Sequence, residues 1–109
     1  MPETKIIEVV KELNKIVKES YEGFIGSYLY GSQVKGTAHK ESDIDIVLLF
    51  NSELTHRQER DLAGIIGNVE YKYDVFIDYH PYTMQQLKRN PFYYESVVEE
   101  GKYFDREAA

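Results

Sequence analysis

Asp43-Ile44-Asp45-Ile46-Val47-Leu48-Leu49-Phe50 places two acidic residues at the head of an unbroken apolar run. A short run that is apolar on both faces predicts a strand in the middle of its sheet. Side chains alternate along a strand, so Asp43 and Asp45 share one face while Ile44 points into the core. Carboxylates that close repel, and each resists ionisation unless positive charge lies between them. A hard divalent cation supplies that charge, and Mg²⁺ is commonly held by one or two carboxylates together with substrate phosphates. Taken alone, Asp-x-Asp more often marks the solvated mouth of an ordinary strand.

The segment upstream changes the weight of that reading. Phe24 to Tyr30 reads as a strand, and Gly31-Ser32 follows it directly, with Lys35 and Gly36 close behind. Glycine allows a tight turn and lets backbone N–H groups approach an anion, and the Ser32 hydroxyl adds a donor. Lys35 offers a positive charge to a phosphate oxygen. A plain surface turn would suit a lone Gly-Ser, but beside a carboxylate pair a phosphate-cradling loop over residues 31–40 is the better expectation. An anion cradle and a metal site together are what nucleotide transfer needs.

A third carboxylate is expected from another strand. Tyr71 to Tyr79 reads as that strand, and Asp74 opens the run Asp74-Val75-Phe76-Ile77-Asp78. Asp74 is preferred to Asp78, which shares its face but sits at the far end of the run. Three carboxylates could hold two metal ions, one activating the acceptor hydroxyl and the other bridging the phosphates.

Around these elements the pattern is helical. Glu3 to Ser20 carries Ile6, Val9, Val10, Leu13, Ile16 and Val17 on one helix face. Thr55 with Gln58 forms a capping-box pattern ahead of a helix bearing Leu62, Ile65, Ile66 and Val69, and Thr83 with Gln86 repeats it. Asn90-Pro91 suits the start of a last helix, with Gly101 at its end. The order helix, strand, strand, helix, strand, helix, helix predicts an α+β domain with a small mixed sheet flanked by helices.

The whole chain of 109 residues fits a single domain. With 42% hydrophobic and 29% charged residues, its balance is that of a globular protein. No apolar run approaches the roughly 18 residues of a membrane span, and the first residues do not read as a signal peptide. The absence of cysteine fits a cytoplasmic protein. A net charge of −6 argues against a broad nucleic-acid-binding surface. Ten tyrosines and no tryptophan are present, and most of the tyrosines are expected to pack in the core. His39, His56 and His80 are dispersed without metal-ligand spacing and read as surface or turn residues. Glu95, Glu99 and Glu100 read as a solvated helix face.

Gly31-Ser32, ten intervening residues and Asp43-Ile44-Asp45 resemble the signature of the DNA polymerase β-like nucleotidyltransferase superfamily. Gly31-Ser32-Gln33-Val34-Lys35-Gly36 is similar to its Gly-Ser-x-x-Arg/Lys-Gly form, with Lys35 where Arg is more frequent, and Ser42-Asp43-Ile44-Asp45 to its Ser-Asp-x-Asp form. The short length and Pro91-Phe92 with Glu100-Gly101 near the end resemble the minimal nucleotidyltransferase (MNT) group. The resemblance implies a polymerase β-like fold, ATP as nucleotide donor and two Mg²⁺ ions. It assigns Gly31, Ser32, Lys35, Gly36 and Ser42 to the nucleotide, and Asp43, Asp45 and Asp74 to catalysis and the metal.

The resemblance further implies an antitoxin that transfers AMP to a tyrosine of a HEPN-domain ribonuclease. The sequence after the last predicted helix offers no further helical domain to hold a small acceptor, so a second chain is expected to present it. Two alternatives stand beside this expectation. One is nucleotidylation of a small-molecule hydroxyl by a homo-oligomer. The other is an antitoxin acting by contact without catalysis, with the Tyr-rich segment Tyr79 to Tyr103 as contact surface in either antitoxin case.

Overall fold

The computed structural model describes residues 4–31 and 43–107. Ser32, Lys35, Gly36 and Ser42 lie outside the described residues. The elements run α1 (Thr4–Ser20), β1 (Phe24–Tyr30), β2 (Ile44–Phe50), α2 (His56–Tyr73), β3 (Ile77–Tyr82), α3 (Met84–Lys88), α4 (Pro91–Tyr94), a π-helical turn (Glu95–Glu99) and β4 (Lys102–Asp105). The sheet order is β3-β2-β1-β4. β1 is antiparallel to both β2 and β4, and β2 is parallel to β3, so the sheet is mixed. The expected α+β class and the interior place of β2 are both found.

Two apolar layers cover the sheet. Ile44, Ile46, Leu48 and Phe50 of β2 meet Val9, Leu13 and Val17 of α1 and Leu62, Ile66 and Val69 of α2. On the other face, Val47 and Leu49 meet Leu87 and Val97, with Tyr28, Tyr30, Tyr82, Tyr93 and Tyr94 packed around them. Only Tyr21 of the ten tyrosines is buried, and Tyr71 and Tyr103 are exposed. The others are half-buried, so the tyrosines mainly build the rim of the second layer rather than fill the core.

Both capping boxes form as the sequence predicts. Thr55 Oγ1 accepts from Gln58 N at 3.2 Å while Gln58 Oε1 accepts from Thr55 N at 2.9 Å, and Thr83 and Gln86 do the same. No helix among the described residues is long and apolar enough to cross a membrane.

Two expected boundaries are corrected. α2 runs on through Tyr71 and Tyr73, because Leu62, Ile66, Val69 and the partly buried Tyr73 continue one helical stripe. It stops at Asp74, whose φ of 53° and ψ of 54° put it in the left-handed conformation that ends helices. Strand β3 therefore begins at Ile77 rather than Tyr71. At the other end, Gly101 leads into strand β4, which sequence reading had not anticipated. A Cβ at Gly101 would collide with the Val97 carbonyl, so only glycine permits this sharp return.

β4 is fastened by a buried polar group on α1. Asn14, fully buried, donates from Nδ2 to Phe104 O and to Asp105 O, each at 3.1 Å. Its Oδ1 accepts from the buried Ser27 hydroxyl at 2.5 Å. Replacing Asn14 by Ala leaves two carbonyls and a hydroxyl short of partners, a cost of about 2 kcal/mol. Urea unfolding of Asn14→Ala is expected to show that loss, and an unchanged midpoint would mean that water replaces the amide.

Candidate active site

Alternation along β2 and β3 decides which carboxylates meet. Ile44, Ile46 and Leu48 fill the α1/α2 layer, which leaves Asp45 on the opposite face with Val47 and Leu49. On β3, Ile77 and Tyr79 face the α1/α2 layer, so Asp78 shares the face of Asp45. The parallel register pairs Asp45 directly with Asp78, and Val47 with His80. On the other side, β1 pairs Tyr30 with Asp45. Asp45 thus lies between Asp78 and Tyr30.

Asp74 is not in this group. It caps α2, is exposed, and lies before the strand rather than on it. The expectation that it opens the third strand is corrected, because the helix uses up the residues that would have carried the strand that far. Asp78, the less favoured candidate, is the one the register delivers. Its strand is anchored at the first residue, where Ile77 N donates to Glu70 Oε2 of α2 at 2.9 Å.

Gly31 stands where β1 turns away, with φ of 76°, a conformation that strains any residue with a Cβ. A Cβ there would also strike Asp45 Oδ2. The backbone conformation calls for glycine, and the absent side chain leaves room for the Asp45 carboxylate beside the turn. The turn expected to cradle phosphate therefore begins against the carboxylate expected to hold metal.

The electrostatics follow from this crowding. Burial raises the Asp45 carboxyl above its usual range, and the negative charges of Asp78 and Asp43 raise it further, with His80 opposing. His80 Nε2 is 3.4 Å from Asp78 Oδ1, and its ring stacks on Tyr82 with centroids 5.6 Å apart. Burial also lifts the Tyr30 hydroxyl far above the ordinary phenol range, aided by its bond to Tyr93 and by the charges of Tyr93, Asp45 and Asp78. Tyr30 and Tyr93 share a hydroxyl–hydroxyl hydrogen bond of 2.8 Å, and their rings meet edge to face. Tyr30, Tyr93 and His80 were not singled out from sequence as site residues. Only the register and the return of α4 over the sheet bring them there.

Among the described residues no group of three or more His, Asp or Glu side chains is already drawn together to hold a metal ion. The pair Asp45 and Asp78, with Asp43 at the strand mouth, still fits one. Its donors are all hard carboxylate oxygens, and Mg²⁺ is held by one or two of them beside substrate phosphates; burial and the neighbouring Asp78 and Asp43 charges both raise the Asp45 carboxyl, and a bound cation would offset them. A separate groove lined by His56, Glu59, Arg60, Ala63, Tyr79 and Pro81 opens at the α2/β3 edge, on the Tyr79 side of the strand. It does not include Asp43, Asp45 or Asp78.

Residues 10–104 match the nucleotidyltransferase domain family, and the chain belongs to that family. Its reaction class is therefore nucleotidyl transfer. A relative from Methanocaldococcus jannaschii, named "putative protein adenylyltransferase", is 31% identical over 77 residues, which span 67% of this chain and 75% of the relative. The fold is similar to that of a toxin–antitoxin crystal structure with AMP-PNP, at 24% identity and a TM-score of 0.59, covering 94% of this chain and 72% of the other. It is also similar to a tri-AMPylated Shewanella oneidensis HEPN toxin in complex with MNT antitoxin, at 21% identity and a TM-score of 0.50, covering 85% and 70%. At these identities the structural likenesses establish the fold alone.

The crowding has a measurable consequence. Folded Asp45 keeps its proton to a higher pH than the unfolded chain does, so the native state binds more protons in that interval and stability falls as the pH rises through it. In metal-free buffer at neutral pH, Asp45→Asn is expected to unfold at a higher denaturant concentration than the unmodified chain. The two should converge as the pH drops below the carboxylate range. A variant no more stable at neutral pH would show that the repulsion is not felt.

Proposed function

We propose that the protein is a metal-dependent adenylyltransferase that moves AMP from ATP onto a tyrosine of a HEPN-domain partner and so acts as an antitoxin. The observation that carries the reading is the pairing of Asp45 with Asp78, with Gly31 packed against the Asp45 carboxylate. Asp43, Asp45 and Asp78 are the residues that would hold Mg²⁺, with Asp78 in the place sequence reading gave to Asp74. Bound there, Mg²⁺ would neutralise phosphate charge and polarise the α-phosphate toward attack.

The chain's own residues set the geometry of transfer. Gly31 lets the backbone come close enough to the carboxylates for phosphate and metal to share one site. Ser32, Lys35, Gly36 and Ser42 belong to the segment that follows, where the Ser32 hydroxyl donates to phosphate and Lys35 brings a cation to it. Tyr30, bonded to Tyr93, walls the site on the β1 side and keeps its phenol neutral beside the carboxylates. The name of the M. jannaschii relative supports protein as the acceptor class. The toxin–antitoxin structures, one of them with an AMPylated HEPN toxin, support the partner.

Incubating the chain with its HEPN partner and Mg-ATP is expected to add the mass of AMP to the partner, and EDTA should abolish the gain. Asp45→Asn and Asp78→Asn should each slow transfer by on the order of 10²–10³-fold. Asp74→Asn should stay within about twofold, as an exposed helix cap would. Loss of activity in Asp74→Asn with Asp78→Asn unaffected would reverse the ligand assignment. Neutralisation that persists in Asp43→Asn/Asp45→Asn, with no AMP on the partner, would overturn transfer in favour of contact.

A further inference from the structure

One large apolar side chain stands among the carboxylates. Phe76 is 73% exposed, in a chain whose other strand-flanking apolar residues are mostly covered. Val75, Ile77 and Tyr79 all turn toward the α1/α2 layer, so alternation puts Phe76 on the face of Asp78. Ile44 N donates to Phe76 O at 2.9 Å, the bond that pairs Ile44 with Ile77 at the first rung of the β2/β3 ladder and fixes the Phe76 backbone at the entry to β3, at the same end of the sheet as Asp43. Asp43 and Asp45 at the start of β2, and Phe76 and Asp78 at the start of β3, thus form a four-cornered patch with a single apolar corner. Singly exposed apolar residues are common on proteins, and what distinguishes Phe76 is its place at the carboxylate end of the sheet, where its ring is open to a bound aromatic group.

The sheet also gives the patch a direction. Gly31 lies against Asp45 from the β1 side, whereas Phe76 directly precedes β3, on the opposite side and at an outer strand of the sheet. Displacement at phosphorus is in line, with the attacking and leaving oxygens on opposite sides. Resting on the proposed function, in which the phosphates of the donor lie toward Gly31, attack comes from the β3 side. We infer that Phe76 is the specificity-determining contact for the acceptor, packing against the aromatic ring of the tyrosine that receives AMP.

In the step so arranged, the phenolic oxygen bonds to the α-phosphorus. The bond from that phosphorus to the oxygen bridging to the β-phosphate breaks, and pyrophosphate leaves on the Gly31 side. The phenolic proton passes to water. The ring of the acceptor lies against Phe76 throughout, in the offset or edge-on packing aromatic pairs prefer.

The test compares Phe76→Ala, Phe76→Leu and Phe76→Trp with the unmodified chain, using Mg-ATP and the HEPN partner. Because the side chain is exposed, the unfolding midpoint of each variant should be unchanged. Phe76→Ala should raise KM for the partner roughly tenfold while KM for ATP stays constant, and Phe76→Trp should recover most of the loss. An unchanged KM for the partner overturns the inference. So does a raised KM for ATP, which would place the ring under the nucleobase instead.

Inactivity of the unmodified chain on the HEPN partner would count against the proposed function rather than against Phe76. The ring contact is then read directly, by saturation-transfer NMR with N-acetyl-tyrosinamide and Mg-AMP-PNP. A signal that survives Phe76→Ala, or is missing from the unmodified chain, overturns it.

Discussion

The parallel pairing of β2 with β3 is the constraint on which the rest of the site depends. Parallel neighbours need a crossover, and α2 provides it, entering through the Thr55 capping box and leaving through the left-handed Asp74. Leu62, Ile66 and Val69 seat that helix over Ile44, Ile46 and Leu48, while Glu70 receives the backbone of Ile77 as β3 begins. A slip of one residue would turn Ile77 to the polar face and Asp78 into the core. Burial of the apolar face therefore fixes the register, and the register puts Asp78 beside Asp45.

That pairing works against stability. Two carboxylates side by side and a third at the strand mouth are unfavourable for a fold considered alone. Each has a use if positive charge and phosphate occupy the same space. Sites that break local rules while their surroundings obey them are where function is expected. Here the surroundings are an ordinary apolar layer, two complete capping boxes and a buried Asn14 that satisfies the neighbouring backbone.

The C-terminal part of the chain takes part in the site from above. α4 returns over the second face of the sheet, where Tyr93 meets Tyr30 and Tyr82 edge to face. The π-helical turn and Gly101 then deliver β4 to the free edge of β1. Tyr30 is consequently held from two directions, by its strand and by Tyr93. The half-buried tyrosines connect the carboxylates to the last elements of the chain.

Sequence alone determined the class of fold, the central strand and the place of two aspartates at its mouth. These are encoded locally: a continuous apolar run, two Asp at strand spacing, Thr-Gln caps and a Gly-Ser turn each carry their own physical signature. It did not determine where α2 ends, that a four-residue strand follows Gly101, or that Asp78 rather than Asp74 stands beside Asp45. Tyr71 and Tyr73 are good strand formers, and only packing of the Leu62–Ile66–Val69–Tyr73 stripe holds them in a helix. The choice between two aspartates four residues apart depends on the register of one strand against another. Periodicity shows which face a residue takes, but only the tertiary pairing decides what stands opposite.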